Sequence, residues 1–138
     1  MLVQIGKLGL KMKQFAVMIV LRKEDKFLLG KRSAWKEKAP GYWCPISGHI
    51  EQNETEEDAV IREAQEELGV LVIPTGKITS SLTHDGSVTL QWWKAEILSG
   101  IPRLNNNENS EIKWFTRDEL RKLEPAFKED ILIILESS

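Results

Sequence analysis

The segment Thr55–Leu68 constrains this chain more than any other, because its two faces demand different surroundings. Val60, Ala64 and Leu68 recur at i, i+4 and i+8, which on a helix makes one stripe that must be buried. Glu63, Glu66 and Glu67 lie three and four apart and converge on a second face. Three carboxylates that close repel one another strongly unless cations sit between them. All-oxygen ligands select hard divalent ions, Mg²⁺ or Mn²⁺. Arg62, four residues before Glu66, can pair with it or with Glu54 and fix a carboxylate's orientation. The ends of the helix are marked too. Asn53 or Thr55 can cap the start, and Glu56, Glu57 and Asp58 occupy the first turn, where the helix dipole favours anions. Gly69 stops it.

The rest of the chain supplies the layer this helix needs. Its 138 residues are the size of one domain, long enough for a single core without disulfides. Cys44 is the only cysteine, which excludes an intrachain disulfide and fits a reducing cytoplasm. One Cys and two separated histidines, His49 and His84, make no zinc site without carboxylate help. The formal net charge of −2 gives no broad attraction to a nucleic acid polymer, so any phosphate must be held locally or by metal ions. The apolar run Phe15–Leu21 is too short to span a bilayer and reads as a buried strand, with residues 1–13 as a lead or an added strand. No membrane partner is expected.

Further along, Glu24-Asp25 signals a turn into a hairpin partner at Lys26–Lys31. Ser33–Gly41 is a polar loop ending in Pro40-Gly41. Tyr42–Pro45 and Gly48–Glu51 are short extended pieces. Strands are expected at Val70–Ile73, Lys77–Thr83, Val88–Leu98 and Glu111–Phe115. Thr116 caps a short helix, and a last helix runs from about Ala126 to Leu135. This order predicts an α/β sandwich with a mixed sheet between helices.

The stretch Gly48-x5-Glu54-x7-Arg62-Glu63-Ala64-x-Glu66-Glu67-x-Gly69-Val70 resembles the Nudix box at every defined position. Trp43-Cys44-Pro45 before it and Ile112-Lys113-Trp114-Phe115 after it extend the likeness to about residues 14–136. The resemblance implies the family's α/β/α sandwich over a single domain, residues 1–138. It also implies divalent metal, Mg²⁺ with Mn²⁺ as substitute, on Glu66 and Glu67. Glu63 is then a further ligand or the base that activates water, and the carbonyl of Ser47, where many members have glycine, completes the ligands. Some members use a loop glutamate as the base. Glu111 and Glu108 are the candidates here, Glu111 ranked first.

The implied reaction is attack of water on a phosphorus of a diphosphate, with metal neutralising the growing charge. A nucleoside triphosphate cut to monophosphate and pyrophosphate, in the manner of MutT-like members, is the first expectation. ADP-ribose or a nucleotide sugar is the second. An inactive nucleotide-sensing module is the third, and the four retained glutamates count against it. A homodimer is common in the family and no feature here demands one. For the substrate, Trp35 sits in a loop beside Lys31 and Arg32, so it can stack on a base while a cation meets phosphate. Trp92 and Trp93 point to opposite faces of their strand. One packs in the core, and Trp92 is taken as the one that meets substrate. Tyr42 and Trp43 are expected in the core, and His84 is a turn residue able to donate to phosphate.

Overall fold

β-branched and apolar side chains alternate along Gln14–Lys23, and each alternation feeds a different core. The computed structural model describes residues 14–137, so the lead or strand expected over residues 1–13 lies outside the described residues. Strand β1 (Gln14–Lys23) turns at Glu24, whose φ is +57°, into β2 (Lys26–Arg32). Short strands β3 (Trp43–Cys44) and β4 (Ile46–His49) follow, then helix α1 (Glu56–Leu68). The long hairpin of β5 (Leu71–Leu82) and β6 (Val88–Ser99) precedes β7 (Asn109–Thr116), α2 (Arg117–Arg121) and α3 (Lys128–Glu136).

The sheet runs β3-β2-β1-β6-β5, with β4 on β1 and β7 on β2. β1 and β6 are parallel while β1–β2, β1–β4, β2–β7 and β5–β6 are antiparallel, so the sheet is mixed as expected. Val17, Ile19 and Leu21 of β1 join Val60, Ala64 and Leu68 of α1 in one core. Met18 and Val20 point the other way, into a second core with Phe27, Phe115, Leu120, Ile131 and Ile134. Helices thus cover both faces, giving an α/β/α sandwich. Burying the three-residue stripe of α1 stabilises the pairing by roughly 1.5–3 kcal/mol for each large side chain.

Three expectations change. The two strands drawn at Val70–Ile73 and Lys77–Thr83 are one edge strand, β5. Pro74 and Gly76 suggested a break, but the edge absorbs them as irregularities in the pairing with β6 at Pro74/Gly76 and Lys77/Thr79. Trp92, expected from sequence to meet substrate, presents no exposed surface for one. It is 0% exposed in the second core, and its indole Nε1 donates to Ser81 Oγ at 2.9 Å. Trp93, its neighbour, packs against the α1 core and donates to Glu56 Oε1 at 2.8 Å. Tyr42 is only half-buried, stacked 4.9 Å from Phe127, while Trp43 packs on the second core.

Candidate active site

Helix α1 starts at Thr55, whose Oγ1 accepts from Asp58 N–H, and ends at Gly69 in the left-handed region, φ +68°. Between these caps the apolar stripe fixes its roll, and the roll turns Glu63 and Glu67 toward β4 and β7. Both carboxylates are buried, at 8% and 6% exposure. Gly48 on β4 makes room for one of them: a Cβ there would lie 1.9 Å from the Glu63 carboxyl carbon. The glycine of the box is therefore required by space and not by a turn. Ser47 precedes it in the same strand, opposite Met18.

Arg62 is the clamp. Its Nε and Nη2 bond both oxygens of Glu54 at 2.7 and 2.9 Å. Nη1 donates to Glu63 at 2.7 Å and to Glu66 at 3.2 Å, and Nη2 also reaches the His49 carbonyl at 2.9 Å. One planar guanidinium thus ties the loop before α1 to β4 and to two glutamates of the helix, which a lysine's point charge would not do. The Arg62 bond holds the Glu54 carboxyl below the usual range. Glu63 goes the other way: burial raises it despite Arg62.

Glu67 has no such partner. Burial, with the charges of Glu63, Glu108 and Glu66 added, pushes its carboxyl up to about 7, opposed by Lys36. Among the described residues its one side-chain hydrogen bond is long, from Asn109 Nδ2 at 3.4 Å. Glu66 is mostly exposed and turned to Arg62, so the three glutamates converge less than their spacing suggests. Among the described residues no three carboxylates are gathered around one point as they stand. The donor chemistry nevertheless fits a hard divalent cation: two buried oxygens-only ligands crowd together with like charge, and a cation between them relieves that cost.

Of the two loop candidates, Glu108 lies toward the buried glutamates and Glu111 faces away from them. β7 pairs with β2, and its even positions Ile112 and Trp114 face α1 while Phe115 lies in the opposite core. Glu111 shares the parity of Lys113 and Phe115 and points away from the glutamates. An irregularity between Lys31 and Arg32 shifts the pairing and skips Ser110. That extra residue brings Asn109 to the α1 side, over Gly30, where a Cβ would lie 2.7 Å from its side chain. Glu108 is ion-paired to Lys36, and its charge reaches Glu67.

Trp35 is 58% exposed, with the Lys36 ammonium 5.1 Å from its ring centre. Its indole donates to the Asn107 carbonyl at 3.0 Å. An open ring therefore lies beside the lysine whose charge Glu67 feels. Arg32 is not brought to the glutamates: its Nε closes the loop by donating to the Lys38 carbonyl at 2.9 Å. His84 sits in the exposed turn between β5 and β6, 6.1 Å from the Phe127 ring in the other layer. A cavity of about 550 Å³ lined by Tyr42, Leu123, Ala126 and Leu132 also lies in that layer and contains none of the glutamates. Lys36, Asn105 and Asn109 were not singled out from sequence. Asn105-Asn106-Asn107 reads as an ordinary turn cluster, and only the fold brings it to α1.

A family model described as the NUDIX domain matches residues 12–135. The chain belongs to the Nudix family. The human NAD-capped RNA hydrolase NUDT12 is 34% identical over 95 residues, covering 69% of this chain and 20% of that protein. The NAD-capped RNA hydrolase NudC of Salmonella heidelberg strain SL476 is 29% identical over 109 residues, 79% of this chain and 41% of that protein. The chain thus spans less than half the length of the curated relatives it matches. Among solved structures, a Nudix hydrolase from Clostridium perfringens superposes with TM-score 0.77 at 23% identity, over 91% of this chain and 96% of that one. That likeness shows the Nudix fold. No helix of the described residues is long and apolar enough to cross a membrane.

Proposed function

We propose that this Nudix domain hydrolyses the diphosphate linkage of a nucleotide, with Mg²⁺ or Mn²⁺ held by Glu63, Glu66 and Glu67 and the Ser47 carbonyl. The observation that supports this most is the pair of buried carboxylates, Glu63 under Gly48 and Glu67 beside Asn109, on one helix. Such a pair is costly without a cation and has no packing purpose. A bound divalent cation would neutralise the diphosphate and make attacking water more acidic. The chain's own residues do the rest. Arg62 keeps Glu54, Glu63 and Glu66 in register. Glu108, held by Lys36 and felt by Glu67, takes the proton from the attacking water. Lys36 itself offers positive charge to phosphate when released from Glu108, and Trp35 offers a face to a base.

The substrate class follows the relatives named as hydrolases of NAD-capped RNA. A nucleotide diphosphate bridging two groups, as in NAD or ADP-ribose, is the first reading. A nucleoside triphosphate is the second. A panel separates them: the protein with Mg²⁺ or Mn²⁺ is given nucleoside triphosphates, NAD, ADP-ribose and an NAD-capped oligonucleotide, and products are resolved by chromatography. Two nucleoside monophosphate-type products from NAD support the first reading. Monophosphate plus pyrophosphate from a triphosphate supports the second. Binding across the panel with no turnover at any metal concentration would sink both and leave a sensor.

A further inference from the structure

The last turn of α1 carries four carbonyls, those of Gln65 to Leu68, of which only the first is reached by an N–H of the helix's own end. No basic side chain lies in that turn. All four are nevertheless met. Gly69 N–H donates to the Gln65 carbonyl at 2.9 Å. The others are met from a segment far along the chain. Arg103 N–H donates to the Leu68 carbonyl at 3.1 Å, and Asn105 N–H to the Glu67 carbonyl at 3.0 Å. The Asn105 side chain then spends both its amide hydrogens on the same turn, reaching the Gln65 and Glu66 carbonyls at 3.2 and 3.3 Å. One residue therefore holds the backbone of both Glu66 and Glu67.

The same segment continues to the other wall of the site. The Asn107 carbonyl accepts from Ser33 Oγ at 2.7 Å and from Trp35 Nε1 at 3.0 Å. The Glu108 carbonyl accepts from Ser33 N–H at 3.0 Å. Residues 103–109 are thus a strap, one end on the glutamate turn and the other on the Trp35 loop. A helix end held only by its own bonds frays or tightens. Metal ligands tolerate displacements of only about 0.2 Å. An end that carries ligands needs an external hold, and Asn105 supplies most of it.

We propose that Asn105 is a positioning residue for the metal-binding glutamates: its side-chain amide, on the Gln65 and Glu66 carbonyls, and its main-chain N–H, on that of Glu67, fix the last turn of α1 so that Glu66 and Glu67 can serve one cation. The proposal rests on the metal-dependent reading above and adds to it a residue outside the family box. The test uses Mn²⁺ alone, without nucleotide, with free ion followed by electron paramagnetic resonance. Asn105→Asp keeps the shape and removes the side-chain donors, Asn105→Ala removes the side chain, and both leave the main-chain bond to the Glu67 carbonyl in place. Thermal unfolding and circular dichroism establish that each variant is folded at the working temperature. Both variants are expected to bind Mn²⁺ roughly tenfold more weakly. Their kcat is expected to fall at low Mn²⁺ and to recover as Mn²⁺ is raised, with little change in nucleotide KM. Mn²⁺ affinity within twofold of wild type in both folded variants overturns the proposal, even if the melting temperature drops, because a mere loop tether does that. If wild-type protein itself binds no Mn²⁺, the metal reading fails and takes this one with it. Wild-type binding with unaffected variants removes only the role of Asn105.

Discussion

Glu67 is held in the charged site at a cost to the fold. Burial and three neighbouring carboxylates raise its carboxyl to about 7, and only Lys36 opposes them. Replacing it with glutamine removes a charge that, in the metal-free protein, only Lys36 offsets in part. Glu67→Gln is expected to lower turnover by about two to three orders of magnitude, the cost seen when charge stabilisation at a reaction centre is lost. It is also expected to stabilise the metal-free protein by about 1–2 kcal/mol at pH 8. Activity and chemical denaturation measured on one preparation check both; wild-type turnover at saturating Mg²⁺ would remove Glu67 from the chemistry. Gly48 gives the complementary case. Gly48→Ala drives a methyl group to where the Glu63 carboxylate lies, 1.9 Å away. The displaced atoms are the end of a flexible side chain, so the fold survives and the site does not. Activity is expected to fall at least tenfold, with the unfolding midpoint changed by less than about 1 kcal/mol equivalent. Loss of folded protein in circular dichroism would show that the glycine serves the sheet instead.

At the scale of elements, helix α3 carries a pH dependence independent of the active site. Its first turn contains Asp130, raised from 3.8 to about 6 by burial and by Glu129, with His84 pulling the other way. Between those values the folded protein binds more protons than the unfolded chain, so this residue's contribution favours folding as pH falls and penalises it above about 6. Asp130→Asn is expected to stabilise the protein by about 1–2 kcal/mol at pH 8 and by almost nothing at pH 4. Urea titrations at the two pH values read the difference directly, and an equal gain at both would exclude titration as the cause. Elements also show what a sequence makes legible. α1 was read to within a residue, because caps, periodicity and the first-turn acids are all local signals. The pairing of Arg62 with Glu54 and Glu66 was readable for the same reason, from spacing on one helix and its leading loop. In the sequence Glu111 ranks ahead of Glu108 because it opens the predicted strand, but which way it faces depends on the register of β7 against β2, which has no mark in the sequence. The hold of Asn105 on α1 joins residues about forty positions apart, and a run of three asparagines says only that a turn is near.

The whole molecule divides its labour between the two sides of one sheet. The glutamates, Arg62 and the strap to the Trp35 loop lie with α1, whereas α2, α3 and Trp92 close the other core. β1 and β6 connect the two layers, since adjacent residues such as Trp92 and Trp93 enter opposite cores. Two tryptophans that sequence alone treats alike should therefore respond differently. Trp92→Phe loses buried volume and the bond to Ser81, and is expected to cost about 1–3 kcal/mol of stability. At a temperature where this variant remains folded, KM for the nucleotide should stay within twofold of wild type, because the change is absorbed in the far core. Trp35→Ala removes an exposed ring whose stability contribution should be under about 0.5 kcal/mol. If that ring stacks on a base, worth about 1–3 kcal/mol, KM should rise roughly tenfold while kcat changes little. Urea unfolding and steady-state kinetics on both variants complete the comparison. A rise in KM for Trp92→Phe without loss of stability would place the substrate on the wrong side of the sheet. An unchanged KM for Trp35→Ala would take the base away from the loop and leave the diphosphate as the only part of the substrate this site holds.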